Sequence, residues 1–251
     1  MAVAQAAAVK HVEHCMGTVF TFDIRQPGVD PASLAAAVRL LHELDRDYST
    51  YREDSVISRL DRGEISPAQL AEQHPQVARV LAECESWKAR TDGWFDARAG
   101  GRLDPSGYVK GWAIEQASQV LVRAGSTSHT INGGGDIACV GSAGDRPWRL
   151  GIVDPRDRSQ LLATVTGNDL ALATSGTAER GRHILNPATG EPVAEQLLSL
   201  SVTGDSVIEC DVLATAGFAM GEASQDWFSA RKIRAFAVRA DGTTWSSFEL
   251  N

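Results

Sequence analysis

Four cysteines in 251 residues, Cys15, Cys84, Cys139 and Cys210, lie too far apart for any short pairing motif. That spacing excludes a disulfide-stapled scaffold and a zinc ribbon, and it predicts four free, mostly buried thiols. Aromatic residues make up 6% of the chain, no lysine or arginine cluster is present, and the formal charge is −8. A dedicated nucleic-acid surface needs the opposite on each count. No apolar run approaches the ~20 residues that span a bilayer. Met1–Val9 is alanine-rich, without the basic start and apolar centre of a signal peptide. The expectation is a cytoplasmic protein with no membrane anchor and no nucleic-acid partner.

At 43% hydrophobic residues the chain can bury an ordinary core, and it is read as one unit, residues 1–251, built as a single body or as two lobes. Asp30-Pro31 supplies an N-cap and a first-turn proline ahead of Leu34, Val38, Leu41 and Leu44, spaced along one helical face. A second helix carries Val77, Val80, Leu81, Cys84 and Trp87 and stops near Gly93. A third follows from Trp112 to Ala124, and a fourth spans Ser206–Gly221, where Ser206 and Glu209 form a capping-box pattern. Thr18–Ile24, Trp148–Val153, Leu161–Thr166, Leu170–Thr174, Leu200–Thr203 and Ala235–Arg239 read as strands. Several are separated by so few residues that they must pair antiparallel. The fold class expected is α+β, antiparallel sheets with flanking and inserted helices.

Five features carry candidate chemistry. Asp104 and Lys110 flank Gly107 where a loop gives way to a helical pattern, so they form either a surface ion pair or an anion site with a close backbone approach. Asp211 and Thr215 lie four apart on one face of the fourth helix. A carboxylate and a hydroxyl so placed suit a hard cation, although Asp211 could equally be satisfied by backbone groups or an arginine. Gly133-Gly134-Gly135-Asp136 follows a strand and is either a wide turn or a backbone surface packed against the ligand loop. His183 precedes the Asn186-Pro187 turn, and Thr174-Ser175-Gly176 ends a strand; both patterns have ordinary structural readings.

Taken in order along almost the whole chain, these segments resemble the FAD:protein FMN transferases of the ApbE type. The resemblance begins at Met16-Gly17-Thr18 and runs through Tyr48-Ser49-Thr50-Tyr51, Ser55 to Leu60, and Gly93-Trp94-Phe95-Asp96. It continues through Asp104 to Gly111, Asn132 to Asp136, Thr174-Ser175-Gly176 with Glu179-Arg180, and His183 to Pro192, and ends at Asp211-Val212-Leu213-Ala214-Thr215. It implies an ApbE-like, T-fold-related architecture and magnesium-dependent transfer of FMN from FAD to a threonine or serine hydroxyl of an acceptor flavoprotein, releasing AMP. By the same resemblance, Asp104 and Lys110 hold FAD, and Met16, Tyr51, Trp94, Phe95, Asp96 and His183 surround it. The Gly107 carbonyl, Asp211 and Thr215 bind Mg2+, and Asp211 or His183 serves as base. Two other chemistries use the same residues: FAD pyrophosphatase activity, with water as the attacking group, and FAD binding without turnover. The chain departs from the family pattern in the short stretch between Asp96 and Asp104, in Gly100-Gly101-Arg102, in Cys210 beside Asp211, and in Cys15, which no apolar segment precedes as a lipobox requires.

Overall fold

The computed structural model describes residues 8–177 and 184–249. Asp30 begins the first helix as its side chain predicts, its Oδ1 accepting from the Ala32 N–H at 2.8 Å. That helix, α1 (Pro31–Tyr48), turns Ala37, Leu41, Leu44 and Tyr48 inward. Two short helices, α2 (Val56–Asp61) and α3 (Pro67–Gln73), precede α4 (Pro75–Arg90), which buries Val77, Val80, Cys84 and Trp87. The next helix, α5 (Ser106–Arg123), starts at Ser106 and not at Trp112. Gly107, Lys110 and Gly111 are therefore helical residues and not loop residues. This follows from packing: Tyr108, Val109 and Gly111 are buried and extend the apolar face by more than a turn.

The strands are β1 (Val9–Cys15), β2 (Thr18–Ile24), β3 (His129–Gly133), β4 (Asp136–Val140), β5 (Trp148–Asp154), β6 (Asp157–Gly167), β7 (Ala171–Gly176), β8 (Leu197–Gly204), β9 (Arg234–Arg239) and β10 (Thr244–Ser246). Eight of them form one antiparallel sheet in the order β1-β2-β3-β4-β7-β8-β9-β10, and β5 and β6 make a separate hairpin. Between β8 and β9 run α6 (Val207–Met220) and α7 (Ser224–Arg231). Ser206 caps α6 through the Glu209 N–H, but the capping box predicted there is only half formed. The Glu209 carboxylate turns outward to Arg90 at 3.4 Å.

Alternation along the strands divides the interior in two. Ala138, Ala171, Ala173, Leu200, Val202, Ala235 and Ala237 meet the helices. Cys139, Leu172, Phe236 and Val238 point the other way, beneath Trp148, Leu150, Ile152 and Val165 of the β5–β6 hairpin. Ala171 and Ala173 line the helix-facing side of β7 where α6 crosses it, so the helix lies close to the sheet. Gly217 lets α6 pack closely on α7, since a Cβ there would strike the ring of Phe228. All four cysteines are free and buried, as their spacing predicts. No helix among the described residues is long and apolar enough to cross a membrane.

A buried histidine makes this fold sensitive to acid. His129 on β3 is fully buried, with Ser118 Oγ at 2.9 Å from Nε2 and Ser126 Oγ at 2.9 Å from Nδ1. Burial pushes its pKa down from 6.5 to about 4. Below pH 6.5 the unfolded chain takes up a proton that the folded chain refuses, so stability falls as pH drops through the interval from 6.5 to about 4. Urea melts across that interval should lose up to about 1.4 kcal/mol per pH unit. The slope should flatten in His129→Gln, and an equal slope in both proteins would show that another group titrates.

Candidate functional site

The turn of chain that opens α5 separates two cavities. One, of about 420 Å3, is walled by Tyr51, Trp94, Phe95, Asp96 and Asp104 together with residues around Ile184–Pro187. The other, of about 340 Å3, is walled by Lys110, Asp211, Gly134, Gly135, Thr174–Gly176 and the β5–β6 hairpin. Ser106, Gly107 and Thr215 belong to both walls. A smaller recess of about 70 Å3, lined by Met16, Tyr51, Asp104, Ser106 and Lys110 among others, lies beside them.

Helix α5 meets α6 at two glycines. A Cβ on Gly111 would lie 2.9 Å from the Val207 carbonyl oxygen and 3.0 Å from Asp211 Cβ, so only glycine permits this crossing. The approach lets the Gly111 N–H donate to Asp211 Oδ2 at 2.8 Å. One turn earlier, Gly107 faces Thr215, whose Oγ1 would be 3.1 Å from a Cβ added there. Thr215 Oγ1 in turn lies 3.4 Å from Ser175 Oγ on β7. The expected metal-ligand set, Gly107, Asp211 and Thr215, is thereby gathered at one place. It contains a single carboxylate, and among the described residues no group of three or more His, Cys, Asp or Glu side chains forms a metal centre.

Lys110 does not pair with Asp104. Its Nζ lies 2.6 Å from Asp136 Oδ2 and 3.8 Å from Asp211 Oδ1. Because the helix begins at Ser106, Lys110 projects across α6 and the start of β4, while Asp104 stays outside and accepts from the Ser106 N–H at 3.0 Å. Asp136 is fully buried, and its Oδ1 accepts from the Thr174 N–H at 3.1 Å. Burial and then the neighbouring Asp136 carboxylate raise the Asp211 pKa well above the ordinary carboxylate range, while Lys110 and the Gly111 N–H oppose the shift. Two carboxylates share one ammonium, and a cation beside them would favour the ionised form of Asp211 that burial and Asp136 oppose.

The other expected residues fall in cavity walls. Met16 occupies the two-residue turn between β1 and β2 with φ 53°, a left-handed conformation that a side chain adopts at a cost of ~1 to 2 kcal/mol. Tyr51 is 83% exposed at the mouth. Phe95 is buried against Gly107, and Asp96 is held by Lys88 at 2.7 Å. The glycine run is a tight β3–β4 turn: Gly134 and Gly135 take φ values of 63° and 98°, and the Gly134 N–H donates to the Val19 carbonyl at 3.1 Å. A Cβ on Gly134 would collide with Thr18 Oγ1. His183, with Glu179 and Arg180, lies outside the described residues.

A model of the ApbE family matches residues 16–101 and 97–237. The chain belongs to the ApbE family. An "FAD:protein FMN transferase" of Vibrio cholerae is 26% identical to it, the match covering 82% of this chain and 80% of that protein. Another, of Rhodobacter capsulatus, is 35% identical over 59% of this chain and only 30% of its own length. Among solved structures, the flavinyl transferase ApbE of Pseudomonas stutzeri superposes with a TM-score of 0.83, at 23% identity and covering 98% of this chain and 96% of that one. The ApbE protein of Thermotoga maritima superposes at 0.82, with 20% identity and 96% and 97% coverage, which establishes the ApbE fold, α+β with a large antiparallel sheet.

Sequence reading missed Asp136, noticing it only as the end of a glycine-rich motif. Its position, a carboxylate opening a strand after three glycines, was the available signal; its partner Lys110 is 26 residues away. Gly111→Ala tests the helix crossing on which this ApbE site depends. Crowding of a close backbone contact should cost about 1 to 3 kcal/mol in urea unfolding. An unchanged midpoint would mean that α5 and α6 do not meet this closely.

Proposed function

We propose that this chain transfers FMN from FAD to a serine or threonine hydroxyl of an acceptor flavoprotein, releasing AMP, with Mg2+ bound at Asp211, Thr215 and the Gly107 carbonyl. The convergence of these residues carries the reading: Gly107 and Thr215 line both cavities, and Asp211 and Lys110 face the second one beside them. Family membership supports it, since relatives that share the fold bear the name FAD:protein FMN transferase. The donor set fits magnesium, which prefers oxygen ligands, and a divalent cation beside Asp211 would favour its ionised form against burial and Asp136. When bound, the ion neutralises charge on the pyrophosphate oxygens.

The chain's own residues supply orientation. Tyr51, Trp94, Phe95, Asp96 and Asp104, with Met16 nearby, receive FAD in the larger cavity. Lys110, its side chain only 21% exposed, adds a fixed positive charge beside the pyrophosphate. The acceptor oxygen attacks the FMN phosphorus, the bond from that phosphorus to the bridging oxygen breaks, and AMP departs with that oxygen. The hydroxyl proton passes to Asp211 or His183. We also place the reaction in the cytoplasm, a setting that four unpaired thiols support.

Incubation of the protein with FAD, Mg2+ and flavoprotein acceptors should add the mass of FMN to the acceptor and release one AMP per transfer. FMN appearing free in solution would identify a pyrophosphatase instead, and uncleaved bound FAD a binding protein. Asp211→Ala should lower Mg2+-dependent AMP release by at least ~10²-fold, the scale of lost electrostatic stabilisation at such sites. Lys110→Ala should weaken FAD binding in calorimetry; undiminished affinity would remove Lys110 from the FAD site.

A further inference from the structure

Strand β7 has an edge that its neighbour does not cover. Strand β4 pairs with it only through Ile137 against Leu172 and Ala138 against Ala171. Beyond Leu172 the β4 side of β7 has no strand partner among the described residues, because β4 begins at Asp136 and the chain turns away through Gly135. On its other side β7 stays paired with β8 as far as Gly176 against Ser199. Backbone groups of an antiparallel strand alternate between its two neighbours. The Thr174 N–H points toward β4, where it meets Asp136 Oδ1, and the Thr177 N–H points to the Leu198 carbonyl of β8. The Thr174 carbonyl and the Gly176 N–H thus face away from β8, into the smaller of the two large cavities.

That cavity ends on Asp211 and Thr215, and the β5–β6 hairpin forms its outer wall. Pairing in the hairpin is irregular at Val153, a bulge that leaves this residue 43% exposed along the wall. In-line displacement requires the attacking oxygen and the leaving group on opposite sides of the phosphorus. If FAD enters from the cavity of Tyr51 and Phe95, the attacking group must come from the other side of Gly107 and Thr215. A hydroxyl carried by a polypeptide needs room for its main chain, and an open strand edge provides both room and hydrogen-bonding partners.

We propose that the acceptor protein enters this second cavity as an extended segment, adding a short strand to the free edge of β7 at Thr174–Gly176. Its serine or threonine hydroxyl then reaches Asp211 and Thr215, while Val153 packs against its flank. This rests on the reading above that FAD occupies the first cavity.

The test uses a displayed library of short peptides, each with one central serine or threonine, incubated with the full chain, FAD and Mg2+; flavin-bearing peptides are recovered by fluorescence and sequenced. A recovered peptide is then resynthesised with single backbone N-methyl groups. Strand addition predicts that flavinylation is lost at alternate positions and kept between them; uniform tolerance overturns it. Val153→Asp should raise the KM for the peptide roughly tenfold, as for loss of one apolar contact, with FAD affinity within about twofold of the original protein. Should that variant unfold, Val153→Thr should shift KM the same way by less. An unchanged KM overturns the proposal, and so does weakened FAD binding, which would assign the cavity to FAD. Failure of the transferase reading itself shows earlier, in the unsubstituted protein: FAD cleaved or bound with no peptide modified ends both proposals.

Discussion

One lysine ammonium, lying between two buried carboxylates, ties together the elements that make the site. Lys110 comes from α5, Asp136 from the first residue of β4 and Asp211 from α6, and Asp136 also accepts from the β7 backbone at Thr174. Removing one member of such a buried group typically costs about 3 to 5 kcal/mol, because an uncompensated charge is left behind. Two acidic groups beside one ammonium leave Asp211 with a raised pKa, and a cation placed there would draw it back to its ionised form.

Close packing allows that cluster to form. Gly111 lets α5 approach α6 until a backbone N–H reaches Asp211, and Gly107 lets the same helix approach Thr215. The alanines on the helix-facing side of β4, β7 and β9 bring α6 down onto the sheet. The tight Gly134–Gly135 turn ends β4 before the end of β7, and the space left becomes a cavity beside a strand edge that has no strand partner among the described residues. The hairpin of β5 and β6, packed on the opposite face through Trp148, Leu150 and Ile152, forms its outer wall. Small residues thus do two opposite jobs, closing one interface and opening another.

Much of this was legible in the chain. Helices α1, α4 and α6 follow from apolar spacing and end signals, and the strands from Trp148 to Thr174 from alternation between turns. The family resemblance points to Met16, Tyr51, Trp94 to Asp96, Asp104, Gly107, Lys110, Asp211 and Thr215, and all of them fall in adjoining cavity walls. Strand β4, edge strands β1 and β10 and the short helices α2 and α3 have no counterpart in the sequence reading: β4, β10, α2 and α3 are too short to carry a periodic signal, and β1 is polar and largely exposed along its length. Helix α5 begins earlier than its apolar run from Trp112 indicates, since Asp104-Pro105-Ser106-Gly107 has loop composition and its last two residues become helical only through packing.

By itself the sequence determined which side chains were available and the local elements that carry them: a carboxylate and a hydroxyl four apart on one helical face, glycines before and after a lysine, and a carboxylate at the end of a glycine run. Those are properties of neighbours along the chain, where backbone geometry alone sets the spacing. Only the tertiary structure decided the partners. Lys110 turned to Asp136 and away from the nearer Asp104 because α5 begins at Ser106 and the buried carboxylates cannot be left unpaired. Desolvation makes that choice, and desolvation depends on which elements pack together across a hundred residues of chain.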